Sequence, residues 1–263
     1  PDITRPADYF TIDDPEYLGD NNTFTNLVIK TDDKTSLHYY ALIIYQQLTK
    51  FHLSDSDPRA LLELTLDRLD FIKEHATFVD ADELYFHQLE NLFETYSNHS
   101  YSTLISYHIA QYYDDEADTY QAGTSDESRW YYKKARQICM DAVEKFPDGE
   151  GSNNCRNLIQ RIEREDLECW IEEVVIPGED ILVKNNYKNV ETIHYRLVRL
   201  KRQEYYEKLR YLEDPDLIAW YRKSTPIKSF SINTDDPGDY RQHNYETALD
   251  ALSPGFYILL TSS

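Results

Sequence analysis

The chain has 263 residues, of which 48 are acidic and 27 are basic, so its formal net charge is −21. Such a charge makes nucleic acid and anionic membranes poor partners. Hydrophobic residues make up 41% of the chain and aromatic residues 14%, which is enough to build a core and excludes wholesale disorder. Residues 1–170 carry −18 (33 acidic, 15 basic) and residues 171–263 carry −3 (15 acidic, 12 basic), which indicates a domain boundary near 170.

The first 170 residues show a mainly helical pattern. Residues 1–30 contain three prolines and the loop-forming stretch GDNNT, and we expect an irregular segment there. Six helices follow. In the first, KTSLHYYALIIYQQLTKF, one stripe of apolar residues has helical spacing and is predicted to be buried: Leu37, Tyr40, Ala41, Ile44, Leu48 and Phe51. The other helices are predicted over about 58–76, 80–97, 100–120, from TSDES to 146, and 152–169.

The short connections between these helices predict stacked antiparallel hairpins over residues 31–170. Ala110 and Tyr113, followed by Ala135, Ala142 and Pro147, fall where a tetratricopeptide repeat (TPR) places its small, aromatic and helix-ending residues. The small residues allow two helices to approach closely, and the proline ends the second helix. We therefore expect a TPR-like helical array.

Residues 171–263 change to a β pattern. The predicted strands are EEVVIP, DILVKNNY, ETIHYRLVRL, PIKSFSINT, YRQHNYETAL and FYILLTSS. A helical insertion over 202–223 separates the third strand from the fourth and is interrupted at Asp214–Pro215. This pattern predicts a small antiparallel β-sandwich, and the fold class is α+β with two domains, helical and then β. A seven-strand sandwich would need one more strand after Ser263.

Several stretches resemble the amino-terminal region of large bacterial α2-macroglobulin-like proteins. They are LHYYALIIYQQLTKFH, ALLELTLDRLDFI, SYHIAQYYDD, ARQICMDAVEKFPDGEGSNNCRNLIQRI, YKNVETIHYRLVRL and YRQHNYETALDALSPGFYILL, which ends with the Leu–x–x–Gly–x–Tyr pattern of Leu252, Gly255 and Tyr257. The resemblance implies a helical TPR-like segment followed by a first macroglobulin-type domain. It further implies an exported protein, in the periplasm or anchored at the outer membrane, whose full-length parent traps proteases.

The catalytic features of that family are missing from these residues. Its members carry a protease-cleaved bait segment, and many also carry a Cys–Gly–Glu–Gln thioester. The three cysteines here stand in CMDA, CRNL and CWIE. The sequence also has no HExxH, GxSxG or GxGxxG motif. We therefore predict a non-enzymatic scaffold or docking fragment with no catalytic, cofactor-binding or metal-binding residues.

Two of the cysteines lie at matching positions in a predicted helical hairpin. Cys139 and Cys155 are nine and seven residues from the turn around Asp148. At about 1.5 Å rise per residue, antiparallel helices bring them to similar heights. A Cys139–Cys155 disulfide is therefore chemically permitted if the chain is exported, provided that the two side chains face each other.

The chain is rich in tyrosine, with 23 in all. Tyrosine packs between helices with its hydroxyl at the surface, and this interpretation is favoured because most tyrosines lie at core-stripe positions. The other interpretation is a groove for sugar or peptide. It supports a second function, a free-standing helical-repeat protein that binds peptide or glycan at the cell surface.

The last apolar run, FYILLT, predicts a strand whose sheet is incomplete. If the final strand of the sandwich lies beyond Ser263, an apolar sheet edge is left unpaired, and such edges recruit other strands. We expect self-association through the C-terminal strand edge. The alternative is that the strands present close the fold.

Overall fold

The computed structural model describes residues 9–123, 126–172, 174–208 and 215–263. The chain divides into two compact units, Pro1–Ile159 and Gln160–Ser263. The first unit is helical and the second contains two antiparallel sheets, so the predicted α+β class is confirmed. None of the helices in these ranges has both the length and the apolar character needed to cross a bilayer.

All six predicted helices are present, preceded by a short helix α1. Their bounds are α1 Asn21–Asn26, α2 Leu37–His52, α3 Arg59–His75, α4 Ala81–Tyr96, α5 Ser102–Ala117, α6 Tyr131–Lys145 and α7 Ser152–Glu163. Helix α7 ends earlier than the predicted residue 169, because residues 166–171 pair with a strand instead.

The segment predicted to be irregular contains two short helices among its described residues. A 3₁₀ helix spans Pro15–Leu18, and α1 follows it. Aspartates cap both: the Asp14 side chain accepts from the Glu16 backbone N–H, and the Asp20 side chain accepts from the Thr23 N–H. These caps satisfy donors that a helix start leaves unpaired, so short helices form where prolines and asparagines predict a loop.

The predicted buried stripe of α2 is wrong. Its large apolar residues are exposed, and the buried face consists of Leu42, Gln46 and Thr49. Gln46 Nε2 donates to the backbone carbonyls of Phe24 and Leu27, at 2.7 and 3.0 Å. A polar residue is buried here because it pairs with the backbone around the end of α1, which a hydrophobic pattern does not reveal.

Helices α5 and α6 form the hairpin that the small residues predict. Ala110 and Tyr113 on α5 are buried, as are Ala135 and Ala142 on α6. The Tyr113 ring makes an edge contact with Tyr131, with centroids 5.1 Å apart. The small side chains therefore lie in the core of this unit, as expected.

The β unit begins earlier than the predicted boundary near 170. Its strands are β1 Asp166–Ile171, β2 Ile181–Lys188, β3 Thr192–Leu200, β4 Lys228–Asn233, β5 His243–Leu249 and β6 Phe256–Ser262. The predicted strand EEVVIP is wrong, since DLECWI immediately before it forms β1. Glu173 lies outside the described residues, and residues 174–180 form no strand. The sheet orders are β1-β2-β5 and β4-β3-β6, with all pairs antiparallel.

The two sheets share one core, as a sandwich requires. Buried residues of β2, β3 and β5 form it, among them Val183, Tyr195 and Leu249. Tyr195 stacks on Phe230 of the neighbouring strand, with centroids 4.6 Å apart. Such cross-strand pairs fix the register of a sheet.

The helical insertion covers the other face of the β4-β3-β6 sheet. It contains α8 Arg202–Lys208 and α9 Pro215–Lys223, and Asp214, at the predicted interruption, lies outside the described residues. Tyr221 of α9 is buried with Val198 and Leu200, and Phe256, Ile258 and Leu260 pack against this cluster. Tyr257 and Leu259 face the sandwich core instead. FYILLT is a continuous apolar run because both faces of β6 are covered.

Among the described residues, β6 pairs with β3 and has no second strand partner. It is therefore an edge strand of the three-stranded sheet. Association through this edge stays a prediction.

Candidate functional site

A groove of about 330 Å³ lies on the helical unit and is lined by side chains of α3, α4 and α5. On α3, Lys73 lies three residues after Asp70 and Glu74 lies four residues after it, so the three side chains share one face of that helix. Tyr85 of α4 and Tyr112 of α5 supply aromatic lining. The groove thus combines carboxylates, a lysine and tyrosines.

Asp70 organises the inner part of this groove. The Tyr85 hydroxyl donates to Asp70 Oδ1 at 2.7 Å, and His108 Nδ1 lies 3.4 Å from Asp70 Oδ2. Burial alone would raise the pKa of Asp70. The hydrogen bonds from His108 and Tyr85, with the nearby charge of Lys73, outweigh burial and hold that pKa below its usual value. Asp70 therefore stays ionised at physiological pH and fixes the two partners around it.

Lys73 spans the two tyrosines. Its Nζ lies 5.0 Å from the centroid of the Tyr85 ring and 5.4 Å from that of Tyr112. It also lies 3.5 Å from Asp82 Oδ1. An ammonium at this distance from an aromatic ring is attracted by the negative face of the ring. The lysine is thus held between aromatic and acidic neighbours.

Both tyrosine hydroxyls remain protonated at physiological pH. Burial, with the nearby carboxylates of Glu116 and Asp82, raises the pKa of Tyr112 to about 12. Burial and the Asp70 carboxylate raise the pKa of Tyr85 above its usual range. Tyr85 is committed to Asp70, whereas Tyr112 is half-buried in the groove lining, with Phe86 against its ring at a centroid distance of 4.6 Å. This chemistry suits the binding of polypeptide or sugar.

The structure brings the two sequence-predicted cysteines together. Cys139 of α6 and Cys155 of α7 are buried free thiols that hydrogen-bond to each other. Cys155 Sγ also donates to the Thr103 carbonyl, 3.7 Å away. The hydrogen bond with Cys155, together with burial, raises the pKa of the Cys139 thiol. The two cysteines thus lie together, as their matching positions along the hairpin predict, and the disulfide itself stays a prediction.

Counting thiols checks that disulfide. In the folded protein we expect both thiols to resist alkylation, because both are fully buried and the reagent cannot reach them. After denaturation without reductant, a protein recovered from an oxidising compartment should show one reactive thiol, Cys169, if the bridge forms. Three reactive thiols would rule the bridge out.

One group of potential metal ligands was not predicted from the sequence. Donor atoms of Asp236, Asp239 and His243 lie within 4.8 Å of one another around the β4–β5 connection. Asp239 is almost fully buried, and its Oδ1 accepts from the Arg241 N–H at 3.1 Å and pairs with His243 Nε2 at 2.7 Å. Two of the three residues thus satisfy each other, which explains the group as a hydrogen-bonded pair that supports the loop.

The groove residues divide into those that sequence could find and those it could not. The doublet at 112–113 separates into two roles: Tyr113 is buried in the helical core, and Tyr112 lines the groove. Asp70 and Lys73 resemble any exposed charged pair on a helix. Their membership in the groove depends on which helices are neighbours, and the sequence pattern does not contain that information.

No model of a known protein family matches the chain. No curated protein is significantly similar to it either. The functional proposal therefore rests on the fold, on the groove and on the sequence resemblance described above.

Proposed function

We propose that this chain is a non-catalytic docking module and that the groove between α3, α4 and α5 binds a segment of polypeptide. The observation that carries the proposal is the groove itself, in which an exposed glutamate and a half-buried tyrosine lie beside the fixed Asp70 network. Its acidic residues outnumber Lys73, and the chain carries −21 overall. A basic peptide fits both the local and the overall charge.

The larger protein to which we assign this module is an α2-macroglobulin-like protease inhibitor, exported to the bacterial cell envelope. The order of a helical unit followed by a β-sandwich is what that resemblance implies. The Leu252–Gly255–Tyr257 pattern supports the sandwich part: the Tyr257 hydroxyl donates to the Ser253 carbonyl at 2.7 Å. A β-carbon on Gly255 would lie 3.1 Å from the Tyr257 ring, so glycine allows this corner to form. In this proposal proteases meet the chain only through its parent.

A free-standing helical-repeat protein that binds peptide or glycan is the second candidate. The tyrosine lining favours it, because an aromatic face and hydroxyls suit sugars as well as peptides. The gene that encodes the chain separates the two candidates. A long continuation into repeated β-sandwich domains supports the inhibitor assignment, and a stop codon directly after Ser263 would exclude it.

The groove can be tested on arrays of short peptides and of oligosaccharides. We expect lysine- and arginine-containing peptides to bind, and replacing Tyr112 with alanine to weaken binding about tenfold, because it removes an aromatic side chain and a hydroxyl from the groove lining. Glu74→Gln should weaken binding of the same peptides, because it removes one attractive charge. For the same reason it should not make their binding more dependent on salt concentration.

The matched control is Glu90→Gln, which removes an exposed acidic side chain of α4 outside the groove lining. It should leave peptide binding unchanged, and both glutamine variants should keep the thermal midpoint of the unsubstituted chain. Tyr112→Ala removes a ring that packs against Phe86, so its binding is measured well below its own thermal midpoint. Binding that tracks oligosaccharides would favour the second candidate. Peptide binding that is indifferent to Tyr112→Ala and Glu74→Gln would refute the groove as the docking site.

A further inference from the structure

Helix α2 presents a row of large apolar side chains to solvent. The exposed fractions are Leu37 82%, Tyr40 47%, Ile44 54%, Leu48 42% and Phe51 71%. We refer to these five residues as the α2 stripe. The opposite side of the helix is already used, because Leu42, Gln46 and Thr49 are buried in the helical unit. Single exposed apolar residues are common in proteins, but a continuous row along a helix indicates an interaction surface.

The charge of α2 differs from that of the rest of the chain. Its 16 residues, LHYYALIIYQQLTKFH, include no aspartate or glutamate, and Lys50 is the one lysine among them. The chain as a whole has 48 acidic residues, and every other helix of twelve or more residues contains at least one. A protein of charge −21 repels its own copies, and an acid-free helix is where that repulsion is weakest at close range.

The spacing of the stripe is symmetric about Ile44. Along the chain its members are separated by 3, 4, 4 and 3 residues. If a second α2 lies antiparallel with Ile44 opposite Ile44, then Leu37 meets Phe51 of the copy and Tyr40 meets its Leu48. Every member of the stripe then has an apolar partner, which is the self-complementarity that a two-fold interface requires. The antiparallel arrangement also opposes the two helix dipoles favourably.

The area of the stripe matches a small stable interface. At roughly 200 Å² for a fully exposed large side chain, the five exposed fractions correspond to about 600 Å² per copy. Two copies would bury about 1,200 Å², the lower end of the range for specific complexes. We propose that α2 is a homodimer interface, in which two copies of the chain pair antiparallel about a two-fold axis at Ile44. This proposal does not depend on the docking function of the groove.

The oligomeric state of the whole chain tests the interface. In sedimentation equilibrium under reducing conditions, we expect a monomer–dimer equilibrium for the unsubstituted chain. Ile44→Glu places two like charges opposite each other on the axis, so it should weaken dimerisation at least a hundredfold. Val79→Glu is the matched control: it makes the same kind of change at a residue of the same unit that is 97% exposed, and it should leave the dimer unchanged.

The relative direction of the two α2 helices is tested by cross-linking with a short bis-maleimide. The variants are made in a Cys169→Ser background, in which the two remaining native thiols are buried. Leu37→Cys and Phe51→Cys are prepared separately and then mixed. The antiparallel pair predicts covalent dimers in the mixture and few in either variant alone, because residue 37 faces residue 51 of the copy.

Three results would overturn the proposal. The first is an unsubstituted chain that stays monomeric at all concentrations, which would mean that the α2 stripe contacts a different protein. The second is a dimer that Ile44→Glu does not weaken, as association through the β6 edge would give. The third is efficient cross-linking of each cysteine variant alone, which would indicate parallel helices.

Discussion

Replacing Arg68 with methionine should lower the free energy of unfolding of the helical unit by about 3–5 kcal/mol. Arg68 lies on α3 and is fully buried. Its Nη1 donates to the Tyr17 carbonyl at 2.5 Å, and its Nη2 donates to the Gly19 carbonyl at 2.9 Å. Its guanidinium also lies 4.3 Å from the centroid of the Phe24 ring. One side chain thus holds the 3₁₀ helix and α1 against α3.

The expected loss is large because both acceptors remain when the donor is removed, one buried and one partly buried. Methionine fills most of the volume, but it leaves two carbonyls without partners, and each buried unpaired polar group costs about 1–3 kcal/mol. Burial lowers the pKa of Arg68 to about 10, so the side chain is still charged at neutral pH. Arg68→Lys should recover only part of the loss, because an ammonium lacks the planar fork that reaches both carbonyls.

Urea unfolding followed by the helical far-ultraviolet signal measures this effect, with the two units treated as separate transitions. Arg59→Met is the matched control: Arg59 is on the same helix but half-exposed, in surface ion pairs with Glu63 and Glu150. Such pairs contribute at most about 1 kcal/mol. Equal unfolding midpoints for Arg68→Met and the parent would show that the buried guanidinium is not structural.

Gly151→Ala should cost the helical unit about 3 kcal/mol through overpacking. A β-carbon at residue 151 would lie 2.4 Å from the backbone carbonyl carbon and oxygen of Thr103 and 2.5 Å from Leu104 Cα. These are backbone atoms of α5, which cannot rotate away as a flexible side chain can. The Gly151 N–H also donates to Thr103 Oγ1 at 2.9 Å, so separating the two segments would weaken this hydrogen bond.

Gly123→Ala measures how much stability is lost when a glycine backbone conformation is the only obstacle to alanine, without any lack of space. Gly123 has a φ of +87°, and a β-carbon there would meet no atom of the described residues within 4 Å. Alanine at 123 should cost only about 1 kcal/mol, from the backbone conformation alone. Thermal unfolding of both variants checks the comparison. A Gly151→Ala variant as stable as Gly123→Ala would mean that the start of α7 shifts readily away from α5.

The sequence predicted the six long helices because each has apolar residues at helical spacing and a recognisable start or end. It failed on α2 for a physical reason. Periodicity reports that a face is apolar but does not report what covers it, and the face of α2 that is buried carries Gln46 and Thr49. Arg68 was missed for the same reason, since its partners are backbone carbonyls 49 and 51 residues away.

The β unit shows both the reach and the limit of the pattern. ETIHYRLVRL was correctly predicted as a strand, and its alternating residues Ile193, Tyr195 and Leu197 lie in the core. The first strand was misplaced because DLECWI follows α7 closely, and no proline or glycine between them marks the end of the helix. The cysteine pair was located because heights along a hairpin depend on sequence distance alone, whereas the groove depends on which helices are neighbours.

The pairing order of the β unit bears on how quickly it folds. Strand β2 pairs with β5 and β3 pairs with β6, so each sheet joins residues about 60 positions apart, as Asn185 with Tyr245 and Val198 with Ile258. Closing such long loops before any contact is made slows folding, whereas neighbouring helices meet through local contacts. The helical unit should therefore reach its native state first. Until these pairs form, apolar residues on both faces of β3 remain uncovered. The chain is most prone to aggregate during this interval.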